Sequence, residues 1–597
     1  MIATYSAALA AIVASLAIGQ GALALCGARR WSWLAPPVGL GLLGAIAWGT
    51  ARLPGDGIPT TALVGALAVG GAVLWLARAG DAREALSVGA PVGLLAAAVG
   101  SLPFLVEGHF GILGTGFNPD MSQHLLATAR LGDGAEGELL RQGYPLGPHA
   151  LVVALNDGFG IGLVQGFGGL TLAAAVLASL TALTVFRELP PSRRIPAALL
   201  VGLPYLVASY YAQGSFKETM QALFLLGFVL ALREASRNPE WRALPLRFVP
   251  AALIAVGSVY VYSFPGLLWL GGALVIWLLL ERTLPARPLL LALAVFLVGA
   301  LPELGRMIDF QRFETFDPSG PGLGNLFGQL SPFAALGIWP SGDFRVAPGD
   351  GAVPAVVYYL GGAFAAALLL YGLVWCWRRR ETTILAGVAA AAGLYVAARV
   401  GGTPYTAAKA LEIGSPLAVL AILSSAGGVV GGTAPEDALA TGRGGGSPAA
   451  TGPAATRLAL LLYVAAAGAC SLLAFANAPV GPTDYSPRLT ALRPLIATGS
   501  TLVIVPDGLV DEEQGERYIA WELRGGRICL ERESEKGTVP PPGIRFVVTT
   551  DAFDRTPYPG FTLRRRAAPY LLWERRGGAA GRGPCPLIAV RQARQGP

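Results

Sequence analysis

The sequence predicts a polytopic α-helical membrane protein of about 12–14 transmembrane helices, followed by a small α/β domain outside the membrane. Three observations predict it. Charged residues make up only 14% of the chain against 53% hydrophobic, where a soluble domain carries about a quarter charged. Apolar runs of spanning length, or nearly so, recur from residue 5 to residue 476. From about Ser486 those runs shorten and charge rises. This divides the chain into a transmembrane domain, 1–480, and a second domain, 486–597.

The runs lie at about 5–26, 33–50, 60–77, 88–106, 167–186, 195–212 and 218–232 in the first half. They continue at 248–263, 266–281, 288–304, 353–377, 384–399, 411–431 and 457–476, roughly fourteen helices in all. No basic region precedes the first run, so it is read as a retained span rather than a cleaved signal. With the N-terminus outside, every short basic connection falls on the inner side: Arg29-Arg30, Arg78 and Arg83, Arg187 to Arg194, Arg233 to Arg247, Arg282 and Arg287, and Arg378-Arg379-Arg380. The long connections 107–166 and 305–352 then face out, and so does the C-terminal domain. The expected localisation is the plasma (inner) membrane, multi-pass. The net charge of +7 is therefore topology and not a nucleic-acid footprint.

Between the last two spans, 432–456 is rich in Gly, Ala, Thr and Pro and reads as a flexible inner linker. In the tail, strands are expected at 501–505, 527–530 and 545–549, a helix at 512–523, and a hairpin at 561–565 and 570–574. Of five cysteines, Cys26, Cys376 and Cys470 sit in or beside apolar runs as small buried hydrophobes. Cys529 and Cys585 lie in the tail, where an oxidising compartment would let them pair. No Cys/His spacing fits a zinc site.

The candidate chemistry gathers on the outer side. All three histidines, His109, His124 and His149, fall in the first long loop. Asn118-Pro119 is a helix-start signal, which would place Asp120 and His124 on one helical face. A carboxylate beside an imidazole suits a general base, a pair of metal ligands, or a simple helix cap. Lysine occurs only as Lys217, Lys409 and Lys536. Two of these stand in short outer connections, Lys217 beside Glu218, and Lys409 between Tyr405 and Glu412. Loop 305–352 adds Arg306, Arg312 and Arg345 near the membrane rim. Ionisable residues there are costly unless paired or exposed to water, so they are functional candidates; snorkelling or a helix-end salt bridge is the structural alternative.

Several short stretches carry a resemblance: FNPDMSQH (117–124), YPLGPH (144–149), GSFKE (214–218), YSFPG (262–266) and PYTAAKAL (404–411), with WELRG (521–525), RFVVTT (545–550) and YLLWERRG (570–577) in the tail. With the span pattern, they resemble the GT-C superfamily of integral membrane glycosyltransferases, in particular large actinobacterial arabinofuranosyl- and mannosyltransferase-like proteins of cell-wall biogenesis. The resemblance implies transfer of a sugar from a polyprenyl-phosphate donor to an envelope glycan or glycolipid, with inversion. Asp120 would be the base. Lys217, Lys409, Arg306, Arg312 or a divalent cation (Mg2+ or Mn2+) would carry positive charge to the leaving phosphate. His124, His149, Glu218, Tyr405 and Glu412 would serve substrate or metal. The family more often has an adjacent acidic pair; here Asp120 stands alone, with Asp157 or Glu107 as the nearest alternatives for a second carboxylate. Two other readings stay open. A lipid-linked-glycan flippase would carry charges deep in its spans, and a non-catalytic glycan-binding scaffold would keep the fold without turnover.

Overall fold

The computed structural model describes all residues except 55–56, 79–82, 119, 135–137, 282–284, 313–321, 431–453, 484–485, 498, 506–518, 520, 525–526, 533–539, 541–542, 552–555 and 578–597. Residues 432–453 of the linker expected at 432–456, most of the helix expected at 512–523, Lys536 and Cys585 thus lie outside the described residues. The chain forms two compact units, one of 1–114 with 130–480, the other of 115–129 with 481–597. The segment carrying Asp120 and His124 therefore belongs with the C-terminal unit.

The first unit is helical. It opens with α1 (Ile2–Leu25), α2 (Ala35–Thr50) and α3 (Ile58–Arg78). A π-helical turn at Ala85–Gly89 leads into α4 (Ala90–Gly100), and α5 (Leu102–Val106) follows. Next in chain order is α6 (Asp120–Gly132), whose residues up to 129 belong to the second unit; the first unit resumes with α7 (Glu138–Arg141), α8 (Gly147–Phe159) and α9 (Leu163–Ala182). Proline opens α2 and α8 in the first turn, where its missing N–H costs nothing. Gly160, at φ +66°, closes α8 in the left-handed conformation that glycine adopts freely.

The span expected at 195–212 is broken. Pro204 separates α10 (Pro191–Gly202) from α11 (Tyr205–Ala212), which bend by 54°. Next are α12 (Phe216–Arg237), the short α13 (Pro239–Arg242) and α14 (Val249–Leu280). The remainder is α15 (Ala286–Ala300), α16 (Leu304–Phe310), α17 (Ala355–Arg378), α18 (Thr382–Gly401), α19 (Pro404–Val430) and α20 (Ala454–Ala476).

Among the described residues ten helices are long and apolar enough to cross a bilayer, or eleven if α10 and α11 count as one span. One of the ten, α14, is two arms. Ser263 takes φ 58° and ψ −154° two residues before Pro265, and the chain turns back. The rings of Phe248 and Trp277 are consequently 5.6 Å apart, where a straight helix would separate those residues by roughly 43 Å. Gln221 of α12 ties the arms together, accepting from Ser258 at 2.8 Å and donating to the Gly266 carbonyl at 3.1 Å. The runs expected at 248–263 and 266–281 are these arms, and the shorter α2 and α4 occupy two more of the expected runs.

The short basic connections meet one another through acids in the same connections. Arg233 pairs with Glu381 at 2.9 Å, Arg194 with Glu84 at 2.6 Å, Arg187 with Glu234 at 3.8 Å and Arg30 with Glu240 at 3.4 Å. Arg237 donates to the carbonyls of Arg379 and Arg380. These arginine-rich turns form one end of the bundle.

The two-residue strands are β1 (Ile112–Leu113), in the first unit, and β2 (Val480–Gly481), at the boundary; the second unit holds β3 (Ser500–Val505), β4 (Arg527–Arg532), β5 (Ile544–Thr550), β6 (Phe561–Ala567) and β7 (Tyr570–Arg575). The five make one sheet in the order β4-β3-β5-β7-β6, with β3 parallel to β4 and β5, and the β6–β7 hairpin antiparallel. Alternation puts Val503, Val548 and Leu572 in one core cluster and Leu502, Val547, Leu571 and Trp573 in another. Cys529 is disulfide-bonded, while Cys26, Cys376 and Cys470 are free and buried.

Candidate functional site: a buried lysine–glutamate nest

A lysine from one connection meets the glutamate that follows a lysine in another: Lys409 pairs with Glu218, the neighbour of Lys217. Gly214, at φ +75°, turns the chain into α12, so Lys217 and Glu218 stand in that helix's first turn. The 404–411 stretch, expected as a connection, is instead the start of α19. Its helical start is set by a reciprocal cap, in which the Thr403 hydroxyl accepts the Thr406 N–H at 3.2 Å and the Thr406 hydroxyl accepts the Thr403 N–H at 2.9 Å. Helical spacing then sets Tyr405, Lys409 and Glu412 along one face.

Lys409 Nζ lies 2.9 Å from Glu218 Oε1, and the Tyr262 hydroxyl donates to the same oxygen at 3.2 Å. Tyr262 reaches it from the end of the first α14 arm, beside the strained Ser263, the kind of backbone strain that concentrates at functional sites. Aromatic faces take both ammonium groups. Lys217 Nζ sits 3.9 Å from the Tyr144 ring centre, and Lys409 Nζ 4.2 Å from that of Tyr405. The pair is well shielded, with side-chain exposures of 16% for Lys409 and 6% for Glu218.

Glu412 is fully buried one turn beyond Lys409, and neither carboxylate oxygen has a hydrogen-bond partner among the described residues. The buried Tyr210 hydroxyl is in the same condition. Both lie within electrostatic reach of Lys409 and Glu218. The nest thus gathers charge and hydroxyl groups in an apolar bundle, where each interaction with an anion is stronger than in water.

The other expected site residues have different surroundings. Asp120 opens α6, half-buried, and its backbone N–H donates to Asn118 Oδ1 at 3.1 Å, the capping pattern expected of Asn-Pro. His124, one turn on, is buried. Arg306 donates to the carbonyls of Leu140 at 3.0 Å and Tyr144 at 2.5 Å and lies 3.2 Å from Glu303, so its guanidinium clamps the turn that carries Tyr144. Arg312 is exposed, and Arg345 pairs with Asp343 at 2.8 Å. Asp157 accepts the Gly57 N–H at 2.7 Å, and Glu107 is exposed.

His149 is fully buried against Tyr144, Phe167 and Phe216, at ring distances of 6.2, 5.5 and 5.8 Å. Burial pushes its imidazole down to about 3, so it is a neutral core ring at any physiological pH. The histidines that cluster in the sequence therefore take three surroundings, with His109 exposed and its Nδ1 3.0 Å from the Glu107 carbonyl. Among the described residues no group of three or more His, Cys, Asp or Glu could hold a metal ion.

Sequence reasoning missed the structural roles of Tyr144 and Tyr262. Both stand in the quoted stretches YPLGPH and YSFPG but far in sequence from either lysine, so only packing brings them to the nest.

No family model matches the chain, and no curated protein matches it. Among solved structures the chain is similar to ArnT from Cupriavidus metallidurans in the apo state, at 14% identity. That match covers 82% of this chain and 98% of that one, with a TM-score of 0.46. It is also similar to the archaeal oligosaccharyltransferase AglB from Archaeoglobus fulgidus, in complex with an inhibitory peptide and a dolichol-phosphate. There the identity is 14%, covering 78% of this chain and 70% of that one, with a TM-score of 0.38.

Proposed function

We propose that the protein is an integral membrane glycosyltransferase of GT-C type, transferring a sugar from a polyprenyl-phosphate donor to a cell-envelope glycan or glycolipid on the outer face of the membrane. One observation carries the reading: Lys409 of one connection pairs with Glu218 of a distant one inside a membrane-spanning bundle, with Lys217 and Lys409 each against a tyrosine face. Buried charge of this kind is costly to keep and marks function by default. A lipid-borne phosphate suits it, because the lipid reaches the nest through the bilayer while the phosphate needs cations in a low-dielectric setting.

The roles follow residue by residue. Lys217 and Lys409 draw negative charge onto the leaving phosphate as the glycosidic bond to it breaks. Glu218 and Tyr262 position Lys409. Asp120 takes the proton from the acceptor hydroxyl as that oxygen attacks the anomeric carbon from the opposite side, inverting it. The resemblance of FNPDMSQH and PYTAAKAL to such enzymes supports the same assignment, and extends it to the actinobacterial envelope enzymes. A flippase would need no base. The test is sugar transfer by the full-length protein in lipid vesicles supplied with a radiolabelled polyprenyl-phosphate sugar and an envelope glycan. The expected result is label in the glycan with release of polyprenyl phosphate. Movement of intact donor across the vesicle without hydrolysis or transfer would overturn the assignment in favour of a flippase.

A further inference from the structure

A second feature of the membrane-spanning unit has no part in that chemistry. Between α1, α4 and α9 runs a groove of about 540 Å³ with an almost wholly apolar lining. Its floor on α4 is a stripe of small residues one turn apart, Ala85, Gly89, Gly93 and Ala97, faced by Leu172 and Val176 of α9. Leu9 and Leu94 on its rim are 62% and 72% exposed, so it opens sideways onto the surface that the spans present to lipid. The volume falls in the range of small-molecule sites, about 300–1,000 Å³.

One end of the groove is not apolar in character. It is lined by Trp31 and Trp33, at the start of the arginine-rich turns. Trp33 donates to Glu84 at 2.9 Å, and Arg194 neutralises that carboxylate at 2.6 Å. The indole N–H groups of Trp31 and of Trp75, whose ring is 5.2 Å from that of Trp31, are buried without an acceptor among the described residues. Among the described residues, Arg29, Arg30, Arg78, Arg83 and Arg194 stand at this end against Glu84 and Glu240, five positive charges to two negative ones. Arg29, Arg30 and Arg83 are exposed.

We propose that this groove binds one acyl chain of an anionic phospholipid, with the headgroup at the Trp31–Arg30–Arg83 end. The apolar floor takes the chain. The net positive charge selects an anionic headgroup over a zwitterionic one. The indole donors meet ester or phosphate oxygens, as tryptophan does at a membrane interface.

The test uses full-length protein in detergent, with phosphatidylglycerol and phosphatidylcholine of matched chains as probes, read by native mass spectrometry. One phosphatidylglycerol should be retained at least tenfold over phosphatidylcholine. A Cβ at Gly93 would meet only Val176, at an ordinary 3.7 Å, so Gly93→Leu fills the groove without forcing the backbone. That variant, eluting as a monodisperse peak, should lose the lipid at least tenfold; Ala97→Leu serves if it does not fold. The triple variant R29Q/R30Q/R83Q should keep a bound lipid but lose the preference. Equal retention of the two probes by the wild type, or undiminished retention by a folded groove-filled variant, would overturn the proposal. So would displacement of the phosphatidylglycerol by polyprenyl phosphate, which would make the groove part of the donor site instead.

Discussion

The two ends of the membrane-spanning bundle solve the problem of charge in opposite ways. At the arginine-rich end, acids and guanidinium groups stand in neighbouring turns, and the side chains of Arg30 and Glu240 are 82% and 60% exposed. Water screens that pair, which is worth little; Arg233 and Glu381, at 21% and 6%, are nearly as shielded as the nest, but they stand among arginine-rich turns whose sign reports which side of the membrane they face. At the nest end the side chains of Lys409 and Glu218 are 16% and 6% exposed. A hydrophobic pair of the same volume would be as stable or more so. On the proposed function, the nest is charge kept for the donor phosphate.

That contrast can be broken most sharply at Glu218. Glu218→Gln leaves the Lys409 ammonium buried without its counter-charge, and should destabilise the protein by about 3–5 kcal/mol, read as thermal unfolding in detergent. Adding Lys409→Met should recover most of the loss. If the single variant is as stable as wild type, the nest is wetter and cheaper than the contrast requires.

The next effect is one of pH. The His149 imidazole is held at about 3 in the folded protein, below its unfolded value near 6.5. A depressed histidine adds stability that is complete above the unfolded value and is lost as pH falls from there toward 3. The loss is about 1.4 kcal/mol per pH unit, or ~2 kcal/mol by pH 5. His149→Phe, in the same aromatic cage, should flatten this limb of the stability profile. An unchanged slope would assign acid sensitivity to other groups.

A smaller change is expected at Lys217, which lies against Tyr144 and outside the Glu218 pair. Lys217→Ala should raise the KM for donor about tenfold, near the ~1.4 kcal/mol that one charge–phosphate contact contributes, with little change in melting. An unaltered KM would make Lys217 a structural cation on an aromatic face. Least of all should follow from Arg30→Ala, under ~0.5 kcal/mol in stability; a loss above 2 kcal/mol would erase the difference between the two ends.

The bundle was readable because lipid leaves few options. Backbone groups must be satisfied within each span, so apolar length alone marks a helix; Pro265 falls between two expected runs, whereas Pro204 breaks one that the sequence reads as continuous. The tail strands were readable as short continuous apolar, β-branched runs at 502–504 and 546–548, buried on both faces of the sheet. Lys217, Lys409 and Glu218 stood out because lysine is so rare here, yet their meeting is a matter of packing between α12 and α19, which no local pattern encodes. Two inferences went astray for a physical reason. His149 and Arg306 are titratable residues near the rim, but burial among aromatics and capture by the carbonyls of Leu140 and Tyr144 turn them into packing and clamping groups. Sequence shows a side chain's chemistry and is silent on how much of it the fold has already used. The place of 115–129 with the C-terminal unit was equally invisible, being a long-range contact.

The central claim is sugar transfer with Asp120 as base, and turnover by Asp120→Asn tests it most directly. In lipid vesicles with a polyprenyl-phosphate sugar, the variant should melt with the wild type and bind donor equally, while transfer to the glycan falls by at least 10²–10⁴-fold, the contribution of a general base. Transfer at the wild-type rate by the folded variant would contradict the account.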